Sequence, residues 1–309
     1  MNAPLKFDDY NHEEVYQSLH TVNDYIRWAR TCLHSAELSY HHGYNEPLDE
    51  AIVLVLACIN MAPPAMNETL QSRLSVTEKQ RIVELLSKRI TKCIPLAYLI
   101  NRAPFAGIDF YVDERVLIPR SPIAELIENH FEPWLQGHLV ERVLDLCCGG
   151  GCIGLAAAYE MPNAAIDLVD ISSDALAVAK INTEQLGMTE SAELIQSDLF
   201  SALSGRTYDL IITNPPYVPQ SSLNVLPSEF DHEPEVALLS GEDGLDHITV
   251  ILTEASKYLS SEGWLCAEVG EAKEALEEKW PQVPFIWPEF ERGGDGVFLV
   301  DADTLKRFF

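Results

Sequence analysis

The chain has few basic residues for its acidic content. Its 309 residues include 21 Lys and Arg against 48 Asp and Glu, which gives a net charge of −27 at pH 7. Residues 1–100 hold 12 acidic and 9 basic side chains, a net of −3, so residues 101–309 carry the remaining −24. Such a field repels nucleic acid phosphates and attracts basic partners. We therefore expect no DNA partner, although solubility alone would also account for the charge.

Long hydrophobic runs are also missing. The longest apolar run, Ala51–Ile59, is far shorter than the ~20 residues that cross a bilayer. The N-terminus lacks the basic start and apolar core of a signal peptide and soon reaches Asp8 and Asp9. These absences predict a cytoplasmic protein with no membrane partner.

Cysteines are too few and too scattered for a disulfide framework. Seven is an odd number in a chain of this length, which indicates reduced thiols. Cys147, Cys148 and Cys152 do cluster, but a zinc site needs a fourth ligand and none lies nearby in the sequence. We expect these residues to line a tight turn and predict no metal site.

The pattern of apolar residues changes along the chain. From about residue 11 to 91 apolar residues recur at three- and four-residue spacings, which predicts a small helical bundle. After this region, aromatic and β-branched residues separated by residues that favour turns predict an extended hairpin. We place a helical domain at residues 1–97, a β-hairpin linker at 98–118 and a larger domain at 119–309.

Short apolar runs alternate with helical stretches in the larger domain. This alternation predicts an α/β fold with a parallel, doubly wound sheet. A final hairpin around Gly293-Gly294 would complete a mixed seven-stranded, Rossmann-like sheet. The predicted strands are Val143–Leu146, Ala165–Val169, Glu193–Gln196, Leu210–Thr213, Leu265–Val269, Phe285–Phe290 and Val297–Val300.

A glycine-rich turn follows the first of these strands, with the sequence Asp145-Leu146-Cys147-Cys148-Gly149-Gly150-Gly151. Such a turn lets the backbone approach a nucleotide-like ligand closely and opens a helix. Gly149, Gly151 and Gly154 satisfy the dinucleotide pattern G-x-G-x-x-G. Asp170, at the end of the second strand, suits a ribose hydroxyl of a dinucleotide or of an adenosine. On this motif alone a nicotinamide enzyme or a nucleotide-binding module stays open.

A second motif, Asn214-Pro215-Pro216-Tyr217, directly follows the fourth predicted strand. Prolines lack the amide donors that would continue a strand, but they form a rigid turn at the sheet edge where ligands bind in such folds. This turn can fix a side-chain amide, a backbone carbonyl and an aromatic face around a planar group. The tetrapeptide resembles the signature of methyltransferases that act on nitrogens conjugated to a planar system: adenine, cytosine or the glutamine amide.

The chemistry of an amide explains these residue types. An amide nitrogen shares its lone pair with the carbonyl and is a weak nucleophile. The Asn214 oxygen and the Pro215 carbonyl can each accept one amide hydrogen, and Tyr217 can stack on the amide plane. We predict Asn214, Pro215 and Tyr217 as catalytic residues. Substrate contacts are assigned to Asn214, Pro215, Pro216 and Tyr217.

The glycine-rich turn also resembles the first motif of S-adenosylmethionine-dependent methyltransferases. An acid leads the turn, whereas dinucleotide folds usually place their first glycine directly at the strand end. The resemblance implies S-adenosyl-L-methionine as cofactor and places Asp198 near adenine, although Asp198 alone would equally serve as a helix cap. The implied cofactor contacts are Asp145, Cys147, Cys148, Gly149, Gly150, Gly151, Asp170, Asp198 and Asn214.

Most of the chain resembles the protein-glutamine methyltransferases of bacterial translation. The features that carry this resemblance are the helical N-terminal region, Pro95–Tyr98, Phe105, Leu117–Arg120, both motifs, Glu229–Glu235 and Gly293–Gly296. The release-factor branch usually follows Ile-Pro-Arg with proline, whereas Ser121 and Cys147 resemble the branch that acts on large-subunit ribosomal protein three. The resemblance implies a basic ribosomal protein as substrate, before or during ribosome assembly. Alternatives are a release-factor glutamine methyltransferase and a DNA adenine methyltransferase.

Overall fold

The chain forms two compact units. The computed structural model describes residues 6–40, 42–44, 46–61 and 69–309. One unit comprises Met1–Arg102 together with Pro227–His232, and the other comprises Ala103–Leu226 together with Glu233–Phe309. The boundary at Arg102 lies within residues 98–118, which the sequence predicted as the linker.

The first unit is helical. Ser75 caps its longest helix and forms a capping box with Glu78, which satisfies amide groups that the first turn leaves without partners. Apolar side chains at helical spacing, among them Leu33, Leu54 and Leu86, form one fully buried core. Within the described ranges, none of the helices combines the length and apolar character that a bilayer crossing requires. The helices are α1 (His12–Ser18), α2 (Val22–Ser35), α3 (Pro47–Cys58), α4 (Val76–Lys92) and α5 (Leu96–Ile100).

A buried ion cluster explains why the segment Pro227–His232 belongs to the helical unit. Arg89 on α4 has only 2% of its side chain exposed. Its Nε donates to Glu50 Oε1 at 2.5 Å and its Nη1 donates to Glu229 Oε1 at 3.0 Å. A buried guanidinium needs such acceptors, and removal of one would leave an uncompensated charge. Glu229 therefore anchors its segment within this unit.

The second unit is built on a six-stranded sheet with the order β5-β4-β3-β6-β7-β8. All neighbouring strands are parallel except β7 and β8, which are antiparallel. A separate hairpin precedes the sheet and is formed by β1 (Ala103–Phe105) and β2 (Ile108–Phe110). The sheet strands are β3 (Arg142–Leu146), β4 (Ala165–Asp170), β5 (Ala192–Gln196), β6 (Tyr208–Thr213), β7 (Leu259–Glu268) and β8 (Val297–Asp301).

Helices cover both faces of this sheet. Successive strand residues alternate between two buried clusters: Val143 faces one cluster and Leu144 faces the other. The first cluster contains α6 (Ile123–Glu128), α7 (Cys152–Glu160) and α8 (Ser173–Gln185). The second contains α9 (Asp246–Ala255), α10 (Lys273–Lys279) and α11 (Ala302–Phe308). This confirms the predicted doubly wound α/β architecture.

The structure differs from the sequence-based description in two details. The sixth expected strand, Phe285–Phe290, is reduced to one antiparallel bridge between Ile286 and Leu299, and the rings of Trp287 and Phe298 pack edge to face. The hairpin occupies residues 103–110 rather than starting at residue 98, because α5 begins after Pro95 and ends at Asn101 in the left-handed conformation. Neither difference changes the strand order at the centre of the sheet.

Candidate functional site

The two sequence motifs meet where the strand order reverses. β4 and β5 lie on one side of β3 and β6 lies on the other, and Leu146 pairs in register with Thr213. The residues that follow these two are therefore neighbours at the carboxyl edge, where ligands bind in open α/β sheets. A cavity of about 170 Å³ opens there. The predicted site residues that line it are Cys147, Cys148, Gly149, Gly150, Asp170, Asp198, Asn214 and Pro216.

The glycine-rich turn reverses the chain through left-handed backbone conformations. Cys147 has φ of 61° and Gly149 has φ of 53°. The left-handed region disfavours a residue with a Cβ atom by roughly 1–2 kcal/mol, so Cys147 holds a conformation that glycine would adopt at lower cost. A Cβ atom added at Gly149 would meet nothing within 4 Å. The turn thus leaves open space beside its backbone, as a cradle for a closely approaching ligand requires.

Asp145 lies beneath this turn and does not line the cavity. Its side chain is fully buried, and Oδ2 accepts a hydrogen bond of 2.7 Å from the Gly154 amide at the start of α7. Oδ1 is buried with no hydrogen-bond partner among the described residues. Burial is the main cause that raises the pKa of Asp145 to about 8, and nearby Asp170 raises it further. The turn therefore rests on a carboxyl group that keeps its proton up to an unusually high pH.

Two further predicted acids lie at the ends of neighbouring strands. Asp170 accepts hydrogen bonds from the Gly149 amide at 2.8 Å and from the Ser172 amide at 2.9 Å. It thereby connects the end of β4 to the glycine-rich turn, and burial raises its pKa. Asp198, beyond β5, is exposed at the cavity. Asp170 and Asp198 thus both line the cavity at the carboxyl edge of the sheet.

The Asn214 turn presents free acceptors at the end of β6. Thr213 Oγ1 donates to the Leu146 carbonyl at 2.7 Å, which ties the two motifs together. Pro215 and Pro216 are buried and Asn214 is half-buried. Neither the Asn214 side chain nor the Pro215 carbonyl has a hydrogen bond to any residue that the structure describes. This turn therefore offers two unsatisfied acceptors next to each other in sequence.

Tyr217 is placed differently from Asn214 and Pro216. It does not line the cavity. Its hydroxyl donates to Glu268 Oε1 at 3.1 Å, and burial raises its pKa. In this conformation the half-buried side chain is anchored through its hydroxyl, and its stacking on a substrate amide stays a prediction.

The chain is similar in sequence to known methyltransferases. The family described as "Methyltransferase small domain" matches residues 126–230. The hMettl16 catalytic domain, solved in complex with MAT2A 3′UTR hairpin 6, is 17% identical with a TM-score of 0.48, over 72% of this chain and 80% of that chain. A "Ribosomal protein uL3 glutamine methyltransferase" from Francisella tularensis subsp. tularensis is 43% identical over 303 residues, which cover 98% of this chain and 96% of that protein. A protein of the same name from Xanthomonas campestris pv. campestris is 45% identical over 287 residues, 93% of each. The chain belongs to the uL3 glutamine methyltransferase family.

The cavity of this methyltransferase contains an ion pair that the sequence did not predict. Arg120 lines the cavity and forms a two-pronged pair with Glu233, with Nη1–Oε1 at 2.6 Å and Nη2–Oε2 at 2.7 Å. Glu233 Oε1 also accepts the Ile118 amide at 3.1 Å. Both partners lie in stretches that carry the family resemblance, but no sequence spacing indicates that residues 113 positions apart would pair.

A buried carboxyl at the end of β7 was also missed. Glu268 has 5% of its surface exposed and bonds Ser121 and Tyr217. Burial is the main cause that raises its pKa to about 7. An acid inside the apolar stretch Leu265–Val269 was the available signal, because buried acids are rare unless they are hydrogen-bonded.

The three clustered cysteines of the methyltransferase line the cavity as neutral thiols. Burial raises the pKa of Cys147, Cys148 and Cys152. A metal ligand would be the thiolate, which this environment disfavours. Within the ranges that the structure describes, no group of three or more His, Cys, Asp and Glu side chains is arranged to hold a metal ion. The cysteines therefore contribute apolar walls to the site.

Proposed function

We propose that this enzyme transfers a methyl group from S-adenosyl-L-methionine to the side-chain amide nitrogen of a glutamine in large-subunit ribosomal protein uL3. Membership of the uL3 glutamine methyltransferase family supports the substrate, since both relatives carry that name. The observation that supports the chemistry is the pair of free acceptors, the Asn214 side chain and the Pro215 carbonyl, at the switch point of the sheet.

The residues around the glycine-rich turn fit a cationic cofactor. The Cys147–Gly151 turn leaves room for a close approach, and Asp145 beneath it has a buried oxygen without a partner. Such an oxygen favours a nearby positive charge. Asp170 and Asp198 are suited to the ribose hydroxyls and the adenine of the cofactor. When bound, S-adenosyl-L-methionine supplies an electrophilic methyl group on its sulfonium.

The protein's contribution to the reaction is positioning. Asn214 Oδ1 and the Pro215 carbonyl each accept one hydrogen of the glutamine amide, so the nitrogen has a fixed orientation. These acceptors become more favourable as positive charge develops on the nitrogen. Once the methyl group is bound, the acidic cationic nitrogen releases one hydrogen as a proton to water, so no strong base is required. Orientation of reactants supplies on the order of 7–11 kcal/mol in well-aligned reactions. Pro216 forms part of the cavity wall next to these acceptors.

Charge supports a basic protein substrate over nucleic acid. Residues 101–309 carry −24 of the net charge of −27. A DNA adenine methyltransferase needs favourable contacts with phosphates, and this field opposes them. A ribosomal protein is basic and is attracted by the same field.

The test uses radiolabelled cofactor with purified uL3, release factors and duplex DNA as separate acceptors. We expect label in uL3 alone, on glutamine. Asn214→Ala should abolish transfer while the affinity for S-adenosyl-L-methionine changes little, because Asn214 is proposed to act on the substrate amide. Asn163→Ala, in an exposed turn, is the matched control and should keep wild-type turnover. Near-normal turnover of Asn214→Ala would refute the mechanism, and label in release factors instead of uL3 would refute the substrate.

A further inference from the structure

A buried carboxylate connects two segments at the carboxyl edge of the sheet. Glu268 is the last residue of β7. Ser121 Oγ donates to Glu268 Oε2 at 2.5 Å, and the Tyr217 hydroxyl donates to Oε1 at 3.1 Å. Ser121 Oγ also accepts the Ile123 amide at 3.1 Å, which fixes the orientation of its hydroxyl. Each oxygen of Glu268 thus holds one segment in place.

Tyr217 is held at more than one point. A Cβ atom on Gly270 would lie 2.5 Å from Tyr217 Cε2, so the ring packs directly on the backbone there. The next residue, Val218, donates to the Leu238 carbonyl at 2.8 Å and accepts from the Ser240 amide at 3.0 Å. Since Tyr217 lies two residues after Pro215 in a turn stiffened by two prolines, its anchor also fixes the acceptors at Asn214 and Pro215.

We propose that Glu268 is a positioning residue for methyl transfer: its ionised carboxylate holds Ser121 and Tyr217 together and so fixes the Asn214–Pro215 acceptors. This inference rests on the proposed glutamine methyltransferase function. An ionised carboxylate accepts from both hydroxyls at once, in charge-assisted bonds roughly twice as strong as neutral ones. A protonated carboxyl becomes a donor at one oxygen, so the Ser121 hydrogen loses its acceptor and the bond from Tyr217 weakens.

The surroundings of Glu268 determine the pH at which its carboxyl is ionised. Burial raises its pKa to about 7, while the bonds from Ser121 and Tyr217 and the charge of Arg120 act in the opposite direction. Arg120 is itself paired with Glu233, Cys266 on the same strand interacts with Glu268, and Glu271 interacts with Tyr217. The carboxyl therefore loses its proton as the pH rises through about 7, and the positioned state exists above that value.

The experiment measures kcat and KM for uL3 methylation against pH at saturating cofactor. In the wild type we expect kcat to fall as the pH drops below about 7, with a smaller change in KM. Glu268→Gln resembles the protonated form, because its amide is neutral and has a single acceptor oxygen. Its kcat should show no such decline and should be roughly tenfold below the wild-type alkaline value, the rate ratio that corresponds to one lost charge-assisted bond.

Two further variants separate positioning from structure. Ser121→Ala removes a donor that lowers the pKa of Glu268, so the acidic decline should move to higher pH; this result does not depend on the folding of Glu268→Gln. Glu193→Gln, on edge strand β5 in an exposed pair with Arg206, is the matched control and should keep the wild-type profile.

Three outcomes would overturn the inference. They are a wild-type profile without the decline, an unchanged decline in Glu268→Gln, and no movement of the decline in Ser121→Ala. No methylation of uL3 at any pH would instead reject the proposed function, and this inference with it.

Discussion

Replacing Gly154 with alanine should force α7 away from the sheet. Gly154 lies where this helix packs directly on Asp145 of β3 and Leu168 of β4. An added Cβ atom would lie 2.4 Å from Leu168 Cδ2, 2.8 Å from Asp145 Cβ and 2.9 Å from Asp145 Oδ2. Favourable contacts between carbon atoms begin at about 3.5–4.0 Å. Leu168 and Asp145 are both fully buried, so neither has free space to move into.

The expected loss of stability combines two opposing effects. Overpacking a buried site costs about 1–3 kcal/mol. Alanine in a helix is favoured over glycine by about 1 kcal/mol, which offsets part of that loss. Asp145 Cβ is attached directly to the backbone of β3 and cannot rotate away, so we place the overpacking effect in the upper half of its range. The net destabilisation is then about 1–2 kcal/mol, which lowers the Tm of a domain of this size by roughly 2–8 °C.

Thermal unfolding of Gly154→Ala and Gly150→Ala tests this estimate. Gly150 lies in the glycine-rich turn just before α7, and its added Cβ would meet Val178, Asn182 and Val116 at 3.5–3.6 Å, which are ordinary contacts. We expect Gly150→Ala to unfold close to the wild-type Tm and Gly154→Ala to unfold below it. The affinity of Gly154→Ala for S-adenosyl-L-methionine should also fall, because the bond from the Gly154 amide to Asp145 supports the turn. A Tm for Gly154→Ala equal to or above that of Gly150→Ala would refute this reasoning.

Three other results are expected. Asp170→Ala should weaken S-adenosyl-L-methionine binding by about 1–3 kcal/mol in calorimetric titration, because a charge-assisted bond pair is lost; unchanged affinity would remove Asp170 from the site. Burial raises the pKa of Asp145 to about 8, and a cation bound nearby lowers it. Cofactor binding below that pH should therefore release a proton in the wild type and not in Asp145→Asn, as measured by calorimetry in buffers of different ionisation enthalpy; equal proton release in both would contradict the role of Asp145. Methylation of free uL3 at low substrate should slow as salt rises, because attraction is screened over a Debye length of ~10 Å at 0.1 M, and mature large subunits should be poor acceptors. Efficient methylation of intact subunits with little salt dependence would contradict the expectation that uL3 is modified before or during assembly.

The features that the sequence predicted depend on local patterns. Alternating apolar strands and amphipathic helices predicted the doubly wound sheet, since these periods come from the geometry of each element. The positions of Cys147 and Asn214 followed from their places directly after strands. Carboxyl ends of parallel strands share one edge, so two motifs that lie about 65 residues apart could be expected to meet there.

The features that the sequence did not predict depend on pairs that are distant in the chain. Glu268 lies 147 residues from Ser121, and Glu233 lies 113 residues from Arg120. No periodicity marks such partners, because each pair forms only after the sheet has brought its segments together. Tyr217 shows the same limit: its aromatic ring suggested a stacking face, and the sequence does not reveal that its hydroxyl has a buried acceptor in Glu268.

The hydrogen bonds of the glycine-rich turn also bear on the nicotinamide alternative. A dinucleotide pyrophosphate binds to free amide groups at a helix N-terminus. Here Asp170 accepts the Gly149 amide, Asp145 accepts the Gly154 amide, and the Cys148 carbonyl accepts the Gly151 amide. Three amide donors of the turn and of α7 are thus occupied, two of them by buried carboxyl groups, and an anion bound nearby would disfavour the ionised form of both. A cationic ligand would favour the ionised form of these carboxyl groups instead, which agrees with the proposed sulfonium cofactor better than with a dinucleotide.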